Sequence, residues 1–290
     1  MAATLRRILP LLCTLAILGS GCTPAESPSP RTATAELVVG PANGALIVAG
    51  GGQLGPEIME RFVELAGGAE ARIVVIPTAG TEENFPDDWR GYQSLRNSGA
   101  RHVTVLHTRN RAEADLESFV APLREATGVW IPGGRQWRLV DSYLDTRTHD
   151  ELFALLDRGG VIGGTSAGAS IQASYLVRGD PTTNEVVMAP GYEIGFGFLE
   201  RVAVDQHLLT RQRQADLLDV VGLHPDLLGI GLDEGTAIYV RGNRAEVIGR
   251  SKVAIYNGGD RERHLYYFLE PGDVFDLGQR EVVRELAPAF

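Results

Sequence analysis

Short apolar runs bounded by glycine and proline recur along the chain, at residues 44–49, 71–76, 102–106, 128–131 and 160–163. They scarcely alternate with polar residues, which is the pattern of strands buried on both faces. Between them lie stretches with apolar residues at helical spacing, at 56–66, 89–97, 112–126, 137–144 and 148–156. In the first of these, Pro56 suits the opening helical position, and Ile58, Phe62 and Leu65 share a face. Strand and helix in alternation predict an α/β fold with a mostly parallel sheet sandwiched by helices. A Gly/Pro/Asn loop at 179–195 precedes a strand over 199–207, a helix over 210–218 and a strand over 227–232. Residues 237–240, 245–249 and 252–256 then alternate, with Gly242-Asn243 and Arg250-Ser251 as turns. They predict a C-terminal β-meander, to which residues 266–274 add one strand.

Composition narrows the function. The 290 residues carry a net charge of −10, and the first 21 hold Arg6 and Arg7 but no acid. The remainder is therefore more acidic still, which argues against a nucleic-acid partner. Lys252 is the one lysine, so Schiff-base chemistry has a single, poorly placed candidate. Gly50-Gly51-Gly52-Gln53-Leu54-Gly55 matches G-x-G-x-x-G, but the next strand ends in Pro77-Thr78-Ala79-Gly80 rather than an acid. A dinucleotide site needs that acid, so the glycines read as a loop letting backbone pass near a site. His102 and His107, at the two ends of one strand, are badly spaced for a shared metal. No cofactor or metal is expected.

Residues 1–21 have the parts of a signal peptide: Arg6-Arg7, then an apolar stretch too short to span a membrane comfortably. Leu18-Gly19-Ser20-Gly21-Cys22 resembles a bacterial lipoprotein box, with Cys22 as the lipidated first residue of the mature chain. Gly19 stands where leucine is usual. Residues 22–42 form the anchor and a Pro/Ser/Thr/Ala-rich tether, and residues 43–290 the functional domain. No cysteine follows Cys22, so no internal disulfide is available. An exported protein tied to a bacterial envelope membrane by lipid is expected.

Candidate chemistry centres on Gly164-Thr165-Ser166-Ala167-Gly168, a G-x-S-x-G run between an apolar strand and a small-residue stretch able to continue as helix. This is the pattern of a nucleophile elbow, and also of a strand simply packed on a helix. A serine nucleophile needs a base and an orienting acid. Of the six histidines, His207 alone ends an apolar strand among polar groups. His149 falls in a helix, His224 in a turn, and His264 in a charged run. Asp233 and Glu234 end a buried run, and neighbouring strand residues point opposite ways, so only one can face His207. The order serine, histidine, acid departs from that of α/β-hydrolases unless the acid is Asp205 or an earlier residue.

Four motifs together resemble cyanophycinase and its relatives, serine exopeptidases that include peptidase E. They are Gly133-Gly134-x-Gln136, the 164–169 run, Asp205-Gln206-His207-Leu208 and the 229–234 run ending in Asp233-Glu234. The resemblance implies a fold related to class I glutamine amidotransferases. Ser166 would be nucleophile, His207 base and Glu234 the third member, with Gly134 and Ala167 N–H groups as oxyanion hole. Gln136, Asp205, Gln206, Arg211 and Arg213 would line a site for a peptide or isopeptide substrate, and a homodimer stays open. The family pattern D-Q-H-F-x-x-R-x-R-x-x-R ends in an arginine that helps hold the substrate. Asp216 stands there instead, reversing the charge and setting up repulsion of a substrate carboxylate. A non-catalytic binding lipoprotein and an esterase remain the other readings.

Overall fold

The computed structural model describes residues 37–257 and 266–283. Residues 1–36, with the signal segment, Cys22 and most of the expected tether, and His264 lie outside the described residues; of the rest of the expected tether, Val39 is buried and its N–H donates to Asn243 Oδ1 at 2.8 Å. In the first half, strands β1 (Ala45–Ala49), β2 (Arg72–Val75), β3 (His102–Val105), β4 (Gly128–Ile131) and β5 (Val161–Thr165) alternate with helices α1 (Pro56–Leu65), α2 (Arg90–Asn97), α3 (Arg111–Ala114), α4 (Glu117–Glu125), α5 (Gln136–Tyr143) and α6 (Arg147–Asp157). There follow α7 (Ala167–Ser170), β6 (Ala173–Tyr175), β7 (Leu199–Gln206), α8 (Asp216–Leu223) and β8 (Leu228–Leu232). The chain closes with β9 (Thr236–Arg241), β10 (Arg244–Gly249), β11 (Val253–Tyr256), β12 (Tyr267–Leu269), β13 (Val274–Asp276) and β14 (Glu281–Val282).

Two sheets form. The larger has nine strands in the order β14-β13-β10-β9-β1-β5-β4-β2-β3, and the smaller five in the order β12-β11-β8-β7-β6. β1, β5, β4, β2 and β3 are mutually parallel. The runs of β1, β4 and β5 are continuously apolar because both faces are covered, whereas the edge strand β3 reads His-Val-Thr-Val and is only partly buried. Leu46, Val48, Val74, Val129 and Ile162 pack with the α4–α6 side chains Leu123, Leu139 and Leu155. Ala45, Ile47, Ile73, Val75 and Trp130 pack with Ile58 and Phe62 of α1. Burying a side chain of this size contributes roughly 1.5–3 kcal/mol, so a polar replacement at Ile47 or Val129 would open one layer. In the smaller sheet, α8 covers β7, β8 and β11 through Leu217 and Val220 against Ala203, Ala254 and Tyr256.

Three sequence expectations change. The helix expected over 112–126 is broken into α3 and α4, because Leu116 is extended (φ −78°, ψ 140°). The helix expected over 210–218 starts only at Asp216: His207 and Gln212 have positive φ, and Thr210 is held by the Asp233 carboxylate. The stretch after Ser166 gives one short helix and then strand β6, since the Ile171 and Gln172 carbonyls accept from Phe196 and Leu199. The C-terminal strands are present, but β9 and β10 join the large sheet while β11 pairs with β8 in the small one.

Candidate active site

β5 lies between β1 and β4, so the turns after all three strands meet at one carboxyl edge. Ser166 follows β5 with φ 53° and ψ −112°, a strained conformation costing about 1–3 kcal/mol and typical of a sharp elbow. The glycines two positions away on either side have no room for side chains. A Cβ on Gly164 would strike the Gly168 carbonyl oxygen, and one on Gly168 would lie 2.7 Å from the Ile131 carbonyl carbon. The glycines of G-x-S-x-G are thus required by close backbone approach. Ala167 opens a four-residue helix, so its N–H has no intrahelical acceptor.

The small sheet brings the other groups. β7 and β8 are parallel neighbours, with Gln206 opposite Leu232, and their ends deliver His207 and Asp233-Glu234 side by side. His207 Nε2 lies 2.9 Å from Ser166 Oγ, and His207 Nδ1 lies 2.6 Å from Glu234 Oε1. With Glu234 ionised, Nδ1–H donates to it and Nε2 is left to accept from the Ser166 hydroxyl. Burial pushes the His207 pKa below its ordinary value, against the opposing pull of Glu234. The imidazole is therefore neutral and able to take a proton. Asp233 faces elsewhere, accepting from Leu209 N, Thr210 N, Thr210 Oγ1 and Ser251 Oγ at 2.7–3.0 Å.

The Gly50 loop joins the two sheets here. Gly50 O accepts from His207 N at 2.9 Å and Gly51 O from Gly235 N at 3.0 Å. A Cβ on Gly51 would lie 2.7 Å from both ring nitrogens of His207, and one on Gly52 would lie 2.8 Å from the Glu234 carboxyl carbon. On the β4 side, a Cβ on Gly133 would be 3.1 Å from Ser166 Cβ. Gly134 has φ 147°, and a side chain there would meet the Ala79-Gly80 backbone. Arg135 N donates to Ala79 O at 2.8 Å, fixing the loop that follows β4.

The remaining residues named from sequence are largely committed to one another. Gln136 is buried and donates Nε2 to Val177 O at 3.1 Å. Asp205 is wholly buried, so it forms wall rather than contact surface. Its carboxylate takes both Nε and Nη2 of Arg178, at 2.9 and 3.2 Å. Gln206 is also buried and accepts from Arg213 through its backbone and side-chain oxygens, each at 3.1 Å. Arg211 is exposed. Arg178 was not singled out by sequence, and it changes the meaning of Asp216: its Nη2 also pairs with the Asp216 carboxylate. The charge reversal at 216 is thus cancelled within the protein, contrary to the repulsion expected. A half-buried acid among arginines was the available signal that a cation had to be found for it. Beyond this centre, His149 is buried, its Nε2 donating to Phe196 O at 2.9 Å, and His107 bonds Thr78 Oγ1 at 2.8 Å.

A hydroxyl on a strained elbow, polarised by a neutral imidazole that a carboxylate orients, is the chemistry of serine hydrolases. Comparison with known proteins narrows the class. The profile of Peptidase family S51 matches residues 46–248, and the chain belongs to this family of serine peptidases. A cyanophycinase of Nostoc sp. is 32% identical over 276 residues, spanning 87% of this chain and 88% of that protein. One of Geminocystis herdmanii is 35% identical over 211 residues, 70% of this chain and 76% of that protein. A peptidase E of Actinobacillus pleuropneumoniae is 21% identical over 64% of this chain and 78% of its own. Among solved structures, a peptidase from an acI-B1 actinobacterium shares the fold, with TM-score 0.64 and 24% identity over 82% of this chain and 98% of that one. No helix among the described residues is long and apolar enough to cross a membrane.

Proposed function

We propose that this serine peptidase hydrolyses a peptide or isopeptide bond through an acyl-enzyme on Ser166. His207 Nε2 takes the Ser166 proton as Oγ attacks the carbonyl carbon, and the Gly134 and Ala167 N–H groups receive the developing oxyanion. The C–N bond breaks as the imidazolium returns that proton to the leaving amine. Water, deprotonated by His207, then attacks the ester, and Ser166 leaves with the proton restored. Glu234 holds the Nδ1–H tautomer and offsets the imidazolium charge. The observation that carries this reading is the unbroken chain Ser166–His207–Glu234, with contacts of 2.9 and 2.6 Å.

The names of the relatives, cyanophycinase and peptidase E, together with Arg211 and Arg213 close after the base, favour an exopeptidase acting on a substrate with a nearby carboxylate. The enzyme is proposed to work outside the cytoplasm, tethered to a membrane through Cys22. A fluorophosphonate probe should label the wild type and not Ser166→Ala. Absence of labelling in the wild type would favour a binding protein on the same fold. Digestion of a peptide library containing β-aspartyl and arginine dipeptides, beside ester analogues, identifies the substrate and separates peptidase from esterase.

A further inference from the structure

The Gly134 loop leans on the turn that follows β2. Residues 77–80 close through a 2.9 Å bond from Gly80 N to Pro77 O, and Ala79 is wholly buried. A Cβ on Gly134 would lie 2.7 Å from Gly80 N, and Arg135 N donates to Ala79 O, so the two backbones are in direct contact. One side chain holds the turn there. Arg138, in the first turn of α5, donates Nη1 to Ala79 O at 2.9 Å and to Gly80 O at 2.6 Å. Because α5 begins where the Gly134 loop ends, this guanidinium closes a ring from loop to helix to turn and back to the loop. Arg109 adds a bond to Gly80 O at 2.8 Å, but it also pairs with Glu83. Arg138 is half-buried and forms no ion pair with a described residue; its guanidinium lies 5.3 Å from the Trp137 ring centroid. Burial, then the charges of Arg109 and Arg135, hold its pKa below the ordinary arginine value, with Glu82 pulling the other way. A half-buried cation met by carbonyl dipoles and a ring, without a carboxylate, is a local cost of the kind found at functional sites.

Resting on the reading of the Gly134 N–H as an oxyanion donor, we propose that Arg138 is a positioning residue for the oxyanion hole. It bonds to none of Ser166, His207 and Glu234 and acts through the turn. By pinning the Ala79 and Gly80 carbonyls it holds that turn against Gly134, which keeps φ 147°, a conformation that glycine adopts far more readily than other residues. With the clamp released, the turn is free to move away and the Gly134 loop moves with it. The charge developing on the substrate carbonyl oxygen is then met by the Ala167 N–H alone. Loss of one donor from an oxyanion hole costs about 10²–10³ in rate, and a displaced donor costs part of that.

The test follows fluorophosphonate labelling of Ser166 in the full-length protein at rising probe concentration, which separates the limiting rate from the half-saturating concentration. The probe's phosphoryl oxygen takes the place of the oxyanion as Oγ attacks. Arg138→Met keeps an apolar stem and removes the donors. Its limiting rate should fall by about 10- to 100-fold, while the half-saturating concentration stays within about threefold of wild type. The pH midpoint, which belongs to His207, should not move. Arg138→Lys, whose ammonium can donate to both carbonyls, should recover the rate to within about fivefold of wild type. Gly134→Ala displaces the same loop directly, so adding Arg138→Met to it should slow labelling by at most about threefold more, where an independent structural loss would multiply. If Arg138→Met does not fold, Arg138→Gln takes its place with the same expected loss. An Arg138→Met protein that labels within about threefold of wild type, a shifted pH midpoint, a lysine variant as slow as the methionine one, or a multiplicative double variant overturns the inference. If Gly134→Ala labels as wild type, the oxyanion role of Gly134 falls and the inference with it. If the wild type does not label at all, it is the proposed function that falls.

Discussion

Gly51→Ala is expected to disable the site without replacing any reacting group. The new Cβ would stand 2.7 Å from Nδ1 and Nε2 of His207, and closer still to Cε1. Carbon contacts are comfortable only near 3.5–4.0 Å, so the ring must retreat by roughly 1 Å. It cannot do so and keep both the 2.9 Å contact to Ser166 and the 2.6 Å contact to Glu234. A displacement of about 1 Å costs on the order of 10²-fold, and full loss of a general base about 10²–10⁴-fold. The barrier should therefore rise by about 3–5 kcal/mol. Gly51 also has φ 118°, so alanine adds strain of about 1–2 kcal/mol to the fold. Gly99→Ala separates these effects: Gly99 has φ 100° with nothing within 4 Å of a built Cβ. Measured side by side, both variants should melt lower, by about 2–8 °C. Only Gly51→Ala should lose fluorophosphonate labelling. A Gly51→Ala protein that labels within about threefold of wild type would refute the argument that this glycine seats the imidazole.

Other expectations are more direct. Glu234→Gln should slow turnover far more than Asp233→Asn, whereas Asp233→Asn should chiefly lower the melting temperature, since Asp233 holds the 209–210 turn and Ser251. The opposite ranking of the two rates would reverse the choice of acid. His207 must be neutral to accept the serine proton, and its pKa is lowered by burial. The labelling rate should therefore rise with pH through a midpoint below the usual histidine value of 6.5 and then level. Glu234 pulls that pKa upward, so Glu234→Gln should move the midpoint to still lower pH; a midpoint above 6.5 in the wild type would contradict the burial argument. Cys22→Ser should abolish incorporation of radiolabelled palmitate in a bacterial host, and equal incorporation would exclude Cys22 as the anchor.

The parallel half of the fold was legible because strands buried on both faces leave continuous apolar runs such as Ile47–Val48 and Val129–Trp130. Ser166 was legible because an elbow imposes glycines at 164 and 168, a constraint that acts within five residues. Sheet membership was not. Strands β8, β9 and β11 all read as apolar runs near the end of the chain, and nothing in their periodicity says that β9 pairs with β1 while β11 pairs with β8. The missing helix turns after His207 were equally hidden, since positive φ at His207 and Gln212 is imposed by tertiary contacts on residues that ordinarily continue a helix. Arg178 escaped notice for a related reason: its partners lie 27 and 38 residues away, beyond any local pattern.

Ser166 belongs to the large sheet, whereas His207 and Glu234 belong to the small one, and the Gly50 loop laces the seam between them. Neither sheet alone is a partial enzyme; a chain with all its strands formed but the seam open has a serine without a base. During refolding, then, peptide circular dichroism can recover while Ser166 remains inert to fluorophosphonate, and reactivity returns only when the sheets dock. The nucleophile is in effect a reporter of one docking event.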